Sequence, residues 1–256
     1  MSILKKYDSY VAYFDMLGFK SAVLKNVDKA CLALTFIRGA IDSQTHAVLI
    51  KPRKPSKIML LPDFREKIFA LKHVRPYIFS DSILMFTLDD EPDDLISLLI
   101  VASKLFQELL VFKVPLRGGI AHGEFFVNEA AHTFCGVPLV RAYELGEKSK
   151  WIGLIIDDEV ADHYFDSLHE GVRESDSLIE WDVPLKDGGK RKLWVFNWPP
   201  DMKYRREPPI TEYQLYSVFK EMFVTEFDML PSEIQDIYRN TAEFINYTYQ
   251  KSRGLI

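Results

Sequence analysis

The stretch YVAYFDMLGF, residues 10–19, runs apolar for most of its length and then places one carboxylate, Asp15, directly before Met-Leu-Gly-Phe. Such a run predicts a buried strand over 9–15. Gly18 and the apolar pattern through Ala30, Leu32, Ile37 and Ile41 predict a tight turn into a long helix. An isolated charge at the end of a core strand is costly unless something pairs with it. The rest of the chain must therefore supply a partner for Asp15.

Working outward, PYIFSDSILMFTL (76–88) gives two short apolar arms around Ser-Asp-Ser and predicts a hairpin. A helix is expected from Glu91 to Phe112, opened by Pro-Asp-Asp, whose acids suit the positive end of a helix. PLRGGIAHGEFFV (115–127) reads as a strand whose glycines invite close backbone approach. Through residue 127 the order is strand, helix, strand, strand, helix, strand, the ferredoxin-like βαββαβ unit of an α+β protein. Beyond it come a helix in GVPLVRAYELGEKSK, a strand in WIGLIID, a helix in DEVADHYFDSL, and a hairpin joining LIEWDVPL to KLWVFNW. Segments 209–225 and 231–250 read as a C-terminal helical extension, giving units of 1–200 and 201–256. The proline-rich stretch from His46 to Val74 is expected as a surface excursion.

In a βαββαβ sheet the end of the first strand and the hairpin between the second and third lie side by side. Asp15 is thus expected to meet Asp81, 66 residues further along. Two facing carboxylates repel, and a shared proton or a divalent cation relieves the repulsion. Met16, Leu17, Gly18 and Phe19 lie between Asp15 and the helix, where backbone amides are placed to bind phosphate.

Bulk composition narrows the partners. The 256 residues are 48% hydrophobic with a net charge of −5, and no long basic stripe offers duplex nucleic acid an electrostatic footprint. Cys31 and Cys135 form no bridge framework and no CxxC pair, which suits a reducing cytoplasm. LISLLIVASKLFQELLVF (95–112) is interrupted by Lys104, Gln107 and Glu108 and reads as a core helix, so no stable membrane contact is expected. The N-terminus has no apolar core with a cleavage site.

FDMLGF (14–19), YIFSDSILMF (77–86), LRGGIAHGEF (116–125) and GVPLVRAYEL (136–145), in that order, resemble the class III nucleotidyl cyclase catalytic domain. The resemblance implies that Asp15 and Asp81 bind two Mg²⁺ or Mn²⁺ ions per site. It further implies attack of the ribose 3′-hydroxyl on the α-phosphorus with pyrophosphate leaving. The adenine-reading lysine of that family falls on Tyr77, and its partner acid on Thr133. An aromatic ring and a hydroxyl do not make an adenine-reading pair. The combination is similar to the bacterial pyrimidine cyclases of the Pycsar antiphage systems, which implies UTP, or alternatively CTP, as substrate. The resemblance also implies a homodimer with active sites at the subunit interface and a separate effector that senses the cyclic product.

The family's ribose-binding Asn and transition-state Arg fall on Val140 and Glu144, which can do neither job. Arg141 is the expected replacement cation, with Lys148 and the cluster Lys190, Arg191 and Lys192 as alternatives. Arg117 is expected to brace structure, and His122 to be a hydrogen-bonded structural histidine. A purine cyclase and a noncatalytic nucleotide-binding regulator are the rival readings.

Overall fold

The computed structural model describes residues 4–47, 74–167, 177–199, 209–223 and 225–255. The excursion expected between His46 and Val74 lies almost wholly outside them. Strand β1 (Lys5–Met16) is longer than the sequence suggests, because Lys5, Lys6 and Asp8 at its start are exposed and polar and only Tyr7 among the first four is partly buried. Helices α1 (Phe19–Lys25) and α2 (Val27–Ala47) replace the single expected helix; Asn26 between them is extended, with φ −160° and ψ 94°. Ala30, Ile37 and Ile41 are buried as expected, but Leu32 is exposed. The expected hairpin is β2 (Arg75–Phe79) and β3 (Ser82–Phe86), followed by α3 (Pro92–Val111) and β4 (Leu116–Asn128).

A short strand β5 (Thr133–Gly136) folds back on β4, and α4 (Val137–Lys148) starts directly from it. Then follow β6 (Gly153–Ile156), α5 (Asp158–Ser167), β7 (Leu178–Pro184), β8 (Lys190–Phe196), α6 (Glu212–Phe223) and α7 (Ser232–Ser252). The sheet order is β2-β3-β1-β4-β6-β8-β7, with β5 attached to β4. Its first four members are antiparallel in the ferredoxin-like order, and β6 joins parallel to β4.

Strand alternation divides β1 between two cores. Tyr10, Ala12, Phe14 and Met16 enter the large core, which also takes in α2, α3 and both C-terminal helices. Phe244 of α7 packs on Trp151 and Trp181 with ring centroids 4.7 and 4.9 Å apart, so the C-terminal helices share this core. Val11 faces the other way, into a smaller cluster with Leu84, Phe86, Phe125 and Val127. Tyr13 and Asp15 share its parity. Asp15 therefore lies on the thinner face of the sheet, under α4, and outside the main core.

The glycines of β4 set how close α4 comes. A Cβ on Gly119 would fall 2.6 Å from the Ala142 carbonyl oxygen, and one on Gly146 would fall 2.9 Å from Gly118 Cα. Helix and strand touch backbone to backbone. This brings Glu147, in the last turn of α4, within reach of β4 at Arg117.

Candidate active site

β1 and β3 pair with Asp15 opposite Ser82, so Asp81, in the two-residue turn before Ser82, sits at the end of β1. The Met16 amide donates to the Asp81 carbonyl at 3.0 Å and ties the turn to the strand. Ser80 holds the turn at φ 55°, a left-handed conformation costly for a residue with a Cβ. Tyr13 and Ser82 hydroxyls meet at 2.6 Å beside the two acids. The fold thus brings Asp15 and Asp81 together.

Asp15 is half-buried and already has a cationic partner. Arg117, directly opposite in the β1–β4 ladder, donates from Nη2 to Asp15 Oδ2 at 3.1 Å and from Nε at 3.3 Å. The same guanidinium is ion-paired with the Glu147 carboxylate, which also pairs with Lys186. Burial raises the Asp15 pKa; Arg117 pulls it back down, while Asp81 and Glu147 push it up again, and the net direction is upward. The bracing role expected of Arg117 matches these contacts. Lys186 and Glu147 were not singled out from the sequence, because nothing local to KDGGK or LGEK announces that a turn and a helix end converge on one arginine.

Amide donors near Gly18 are fewer than the sequence suggests. Those of Met16 and Leu17 are spent on the Asp81 and Pro115 carbonyls, the latter at 2.9 Å. This corrects the expectation that all four residues from Met16 to Phe19 offer free amides. Gly18 turns the chain at φ 80°, and Phe19 opens α1. Among the described residues the amides of Gly18 and Phe19 have no such acceptor.

Arg141 is not at this acid pair. It is ion-paired with Asp157 at 3.6 Å and Glu159 at 3.4 Å. Glu159 also bonds His122 Nδ1 at 3.1 Å, and His122 Nε2 lies 3.4 Å from Asp90. By strand parity His122 faces the opposite side of the sheet from Arg117. The ion pairs of Arg141 are thus with acids at and just before the start of α5, and none joins it to Asp15 or Asp81. The other candidate cations are paired too: Lys148 with Glu144, Lys190 with Glu243, Arg191 with Asp158, and Lys192 with Glu180. Val140 is 57% exposed, on a face of α4 that also shows Val137 and Tyr143.

Tyr77 and Thr133 come together elsewhere. The Tyr77 ring packs on Phe134 at 4.5 Å and lies parallel to Phe86 at 5.8 Å, with His132 at 6.0 Å. Residues 132 and 134 flank Thr133, so the start of β5 brings Thr133 beside the Tyr77 ring. The Tyr77 hydroxyl donates to Glu129 Oε2 at 3.0 Å, and burial, reinforced by Glu129, raises its pKa to about 12. The Thr133 hydroxyl donates to the Ala131 carbonyl at 3.2 Å. Because the ring is packed on protein aromatics, the hydroxyl is the part of Tyr77 that faces polar surroundings.

No family model matches this chain, and no curated protein sequence does. By structure it is similar to the catalytic core of a rhodopsin-guanylyl cyclase with converted specificity, in complex with ATPαS. The TM-score is 0.51 at 15% identity, over 75% of this chain and 97% of that one. The fold is that of a class III nucleotidyl cyclase catalytic domain. A more distant likeness is to the adenylyl cyclase CyaB from P. aeruginosa, with a TM-score of 0.48 and 11% identity over 80% of this chain and 99% of that one.

Among the described residues no cluster of three or more His, Cys, Asp or Glu side chains is arranged to hold a metal ion. Two carboxylates nevertheless fit Mg²⁺ or Mn²⁺, since such ions commonly take one or two protein carboxylates and fill the remaining positions with water and substrate phosphates. None of the described helices is long and apolar enough to cross a membrane.

Proposed function

We propose that this chain is a pyrimidine nucleotide cyclase, converting UTP to 3′,5′-cyclic UMP and pyrophosphate, with CTP as the second choice of substrate. The observation that carries the reading is the meeting of Asp15 and Asp81 at the end of β1, in a fold shared with cyclase catalytic domains. These two carboxylates would hold two Mg²⁺ or Mn²⁺ ions, which supply charge neutralisation at the triphosphate and acidify the 3′-hydroxyl.

The chain's own residues do the positioning. Arg117 and Glu147 fix the Asp15 carboxylate beside the Asp81 turn. The Gly18 and Phe19 amides face the position of the triphosphate. Tyr77 and Thr133 read the base. Little covalent chemistry is asked of the protein, because in-line placement and charge stabilisation carry phosphoryl transfer.

The function as a cyclase includes a homodimer. In one chain the acid pair, the base-reading loop and Arg141 occupy separate places, and a second copy with its sites at the interface would bring Arg141 to the partner's acids. The apolar face of α4 with Val137, Val140 and Tyr143 supports such an interface. The sequence resemblance further supports a role in antiphage signalling, with a separate effector sensing the product.

Purified protein incubated with Mn²⁺ and each of the four ribonucleoside triphosphates tests the reading. Cyclic UMP is the expected main product; cyclic AMP or cyclic GMP in excess would defeat the pyrimidine assignment. A noncatalytic nucleotide-binding regulator is the second reading, favoured by Val140 and by Glu144, which is tied to Lys148 at 2.6 Å. A regulator would raise its Tm with nucleotide and metal yet release no pyrophosphate.

A further inference from the structure

We infer that Glu129, a residue with no counterpart among the metal or base-reading positions above, sets the choice of base by fixing the hydrogen-bond polarity of the Tyr77 hydroxyl. The inference rests on the reading of Tyr77 as a base contact.

A phenol has one proton to give, and an ionised carboxylate can only accept. The Tyr77 hydroxyl gives its proton to Glu129 Oε2 at 3.0 Å, so toward any ligand it offers lone pairs alone. Three features of the chain place Glu129 for this. It opens the 3₁₀ turn Glu129–Ala131, which Asn128 caps by accepting the Ala131 amide at 3.1 Å. β5 returns along β4 with Thr133 opposite Asn128. Arg75, two residues before Tyr77, lies 3.9 Å from Glu129 Oε1. Phe134 and Phe86 pack the Tyr77 ring, so the hydroxyl cannot swing to another partner without breaking the aromatic cluster. The phenol stays protonated across the physiological range, so its polarity does not change there.

An acceptor-only hydroxyl can take a proton from uracil at ring position 3 or from the cytosine amine at ring position 4, and the UTP reading above sets it against position 3. Uracil carries N3–H there and donates. Cytosine carries a bare N3 lone pair, which meets the hydroxyl lone pairs with no proton between them. A site built to hydrogen-bond one edge rejects the analogue that lacks the group, because a polar atom is left unpaired. Removing Glu129 frees the proton, and the hydroxyl can then serve either base. Glu129 is a positioning residue in this scheme, acting through Tyr77.

The test measures binding of the α,β-methylene analogues of UTP and CTP to the full chain with Mn²⁺ by calorimetry, alongside turnover of UTP and CTP. The wild-type chain is expected to favour the uracil analogue by about tenfold or more. Glu129→Ala brings the ratio to within about twofold, while Glu129→Gln, which can accept through its carbonyl or donate through its NH2, gives an intermediate ratio. Tyr77→Phe also abolishes the preference, and Glu129→Ala adds nothing to it. An unchanged ratio in Glu129→Ala, a loss in Glu129→Gln as large as in Glu129→Ala, or equal binding of the two analogues by the wild type overturns the inference. If the binding ratios follow this pattern but no cyclic product forms, the cyclase reading fails and this inference stands. If turnover is present and the ratio does not move, the reverse holds.

Discussion

Arg117 lies directly across the β1–β4 ladder from Asp15 and donates to its carboxylate at 3.1 Å, so the acid that ends the apolar strand is neutralised within the chain. This pairing explains how a carboxylate is tolerated there. Even so, Asp15 keeps a pKa above the ordinary range, because burial and the neighbouring Asp81 and Glu147 outweigh what Arg117 returns.

Replacing Asp15 with Asn should therefore separate stability from activity. Metal-dependent pyrophosphate release is expected to fall by at least about a hundredfold. The metal-free Tm at neutral pH should hold or rise, because a costly charge has been removed. A clear drop in Tm, or retained turnover, would contradict the assignment.

The same shift fixes the sign of a pH effect. An acid whose pKa is raised on folding binds more protons in the folded chain than in the unfolded one between the two values, so stability falls as pH climbs through that interval. Metal-free wild type is expected to lose Tm relative to Asp15→Asn as pH rises just above the usual carboxylate range. Mn²⁺, which favours the ionised form, should cancel the difference. Thermal scans of both proteins from about pH 4 to 7, with and without Mn²⁺, read this directly.

Arg117→Met strands Asp15 and Glu147 beside each other with their shared cation gone. Breaking a buried pair from one side costs about 3 kcal/mol, which for a chain of this size is a Tm loss of roughly 6–12 °C. Arg117→Lys should recover only part of it, since one ammonium cannot reproduce the fork that spans both acids. Differential scanning calorimetry distinguishes the three proteins.

On α7, buried Thr241 accepts the Ile152 amide at 2.9 Å and donates to the Ile237 carbonyl at 2.6 Å. Thr241→Val keeps the shape and orphans that amide, with an expected cost of about 1–3 kcal/mol. Urea unfolding should show a lower midpoint with an unchanged slope. Should the C-terminal helix melt as a separate unit, a second transition would appear instead.

Much of this architecture was legible in the sequence. The apolar run at 9–15, the apolar arms of 76–88, the glycine-bearing strand 115–127 and the helical stretches after Gly18 and over 91–112 announce the βαββαβ order, and that topology then brings Asp15 to the Asp81 turn. What sequence could not reveal is pairing at a distance. Arg141 looked available because its partners, Asp157 and Glu159, lie sixteen and eighteen positions away across a helix and a strand. The amides of Met16 and Leu17 looked free for the same reason. β5 was missed because Thr-Phe-Cys-Gly is too short for any period to register, and the break at Asn26 because no Gly or Pro marks it.

Where Gly146 rests on Gly118, no side chain stands between helix and strand to absorb an error. Gly146→Ala should cost about 1–3 kcal/mol through overpacking, visible as a lower Tm. Such a bone-on-bone seat works like a machined shim: it sets the span from Glu147 to Arg117 at a value that rotamer changes elsewhere on α4 cannot retune. Drift in the carboxylate's brace is then open only to paired changes on both elements.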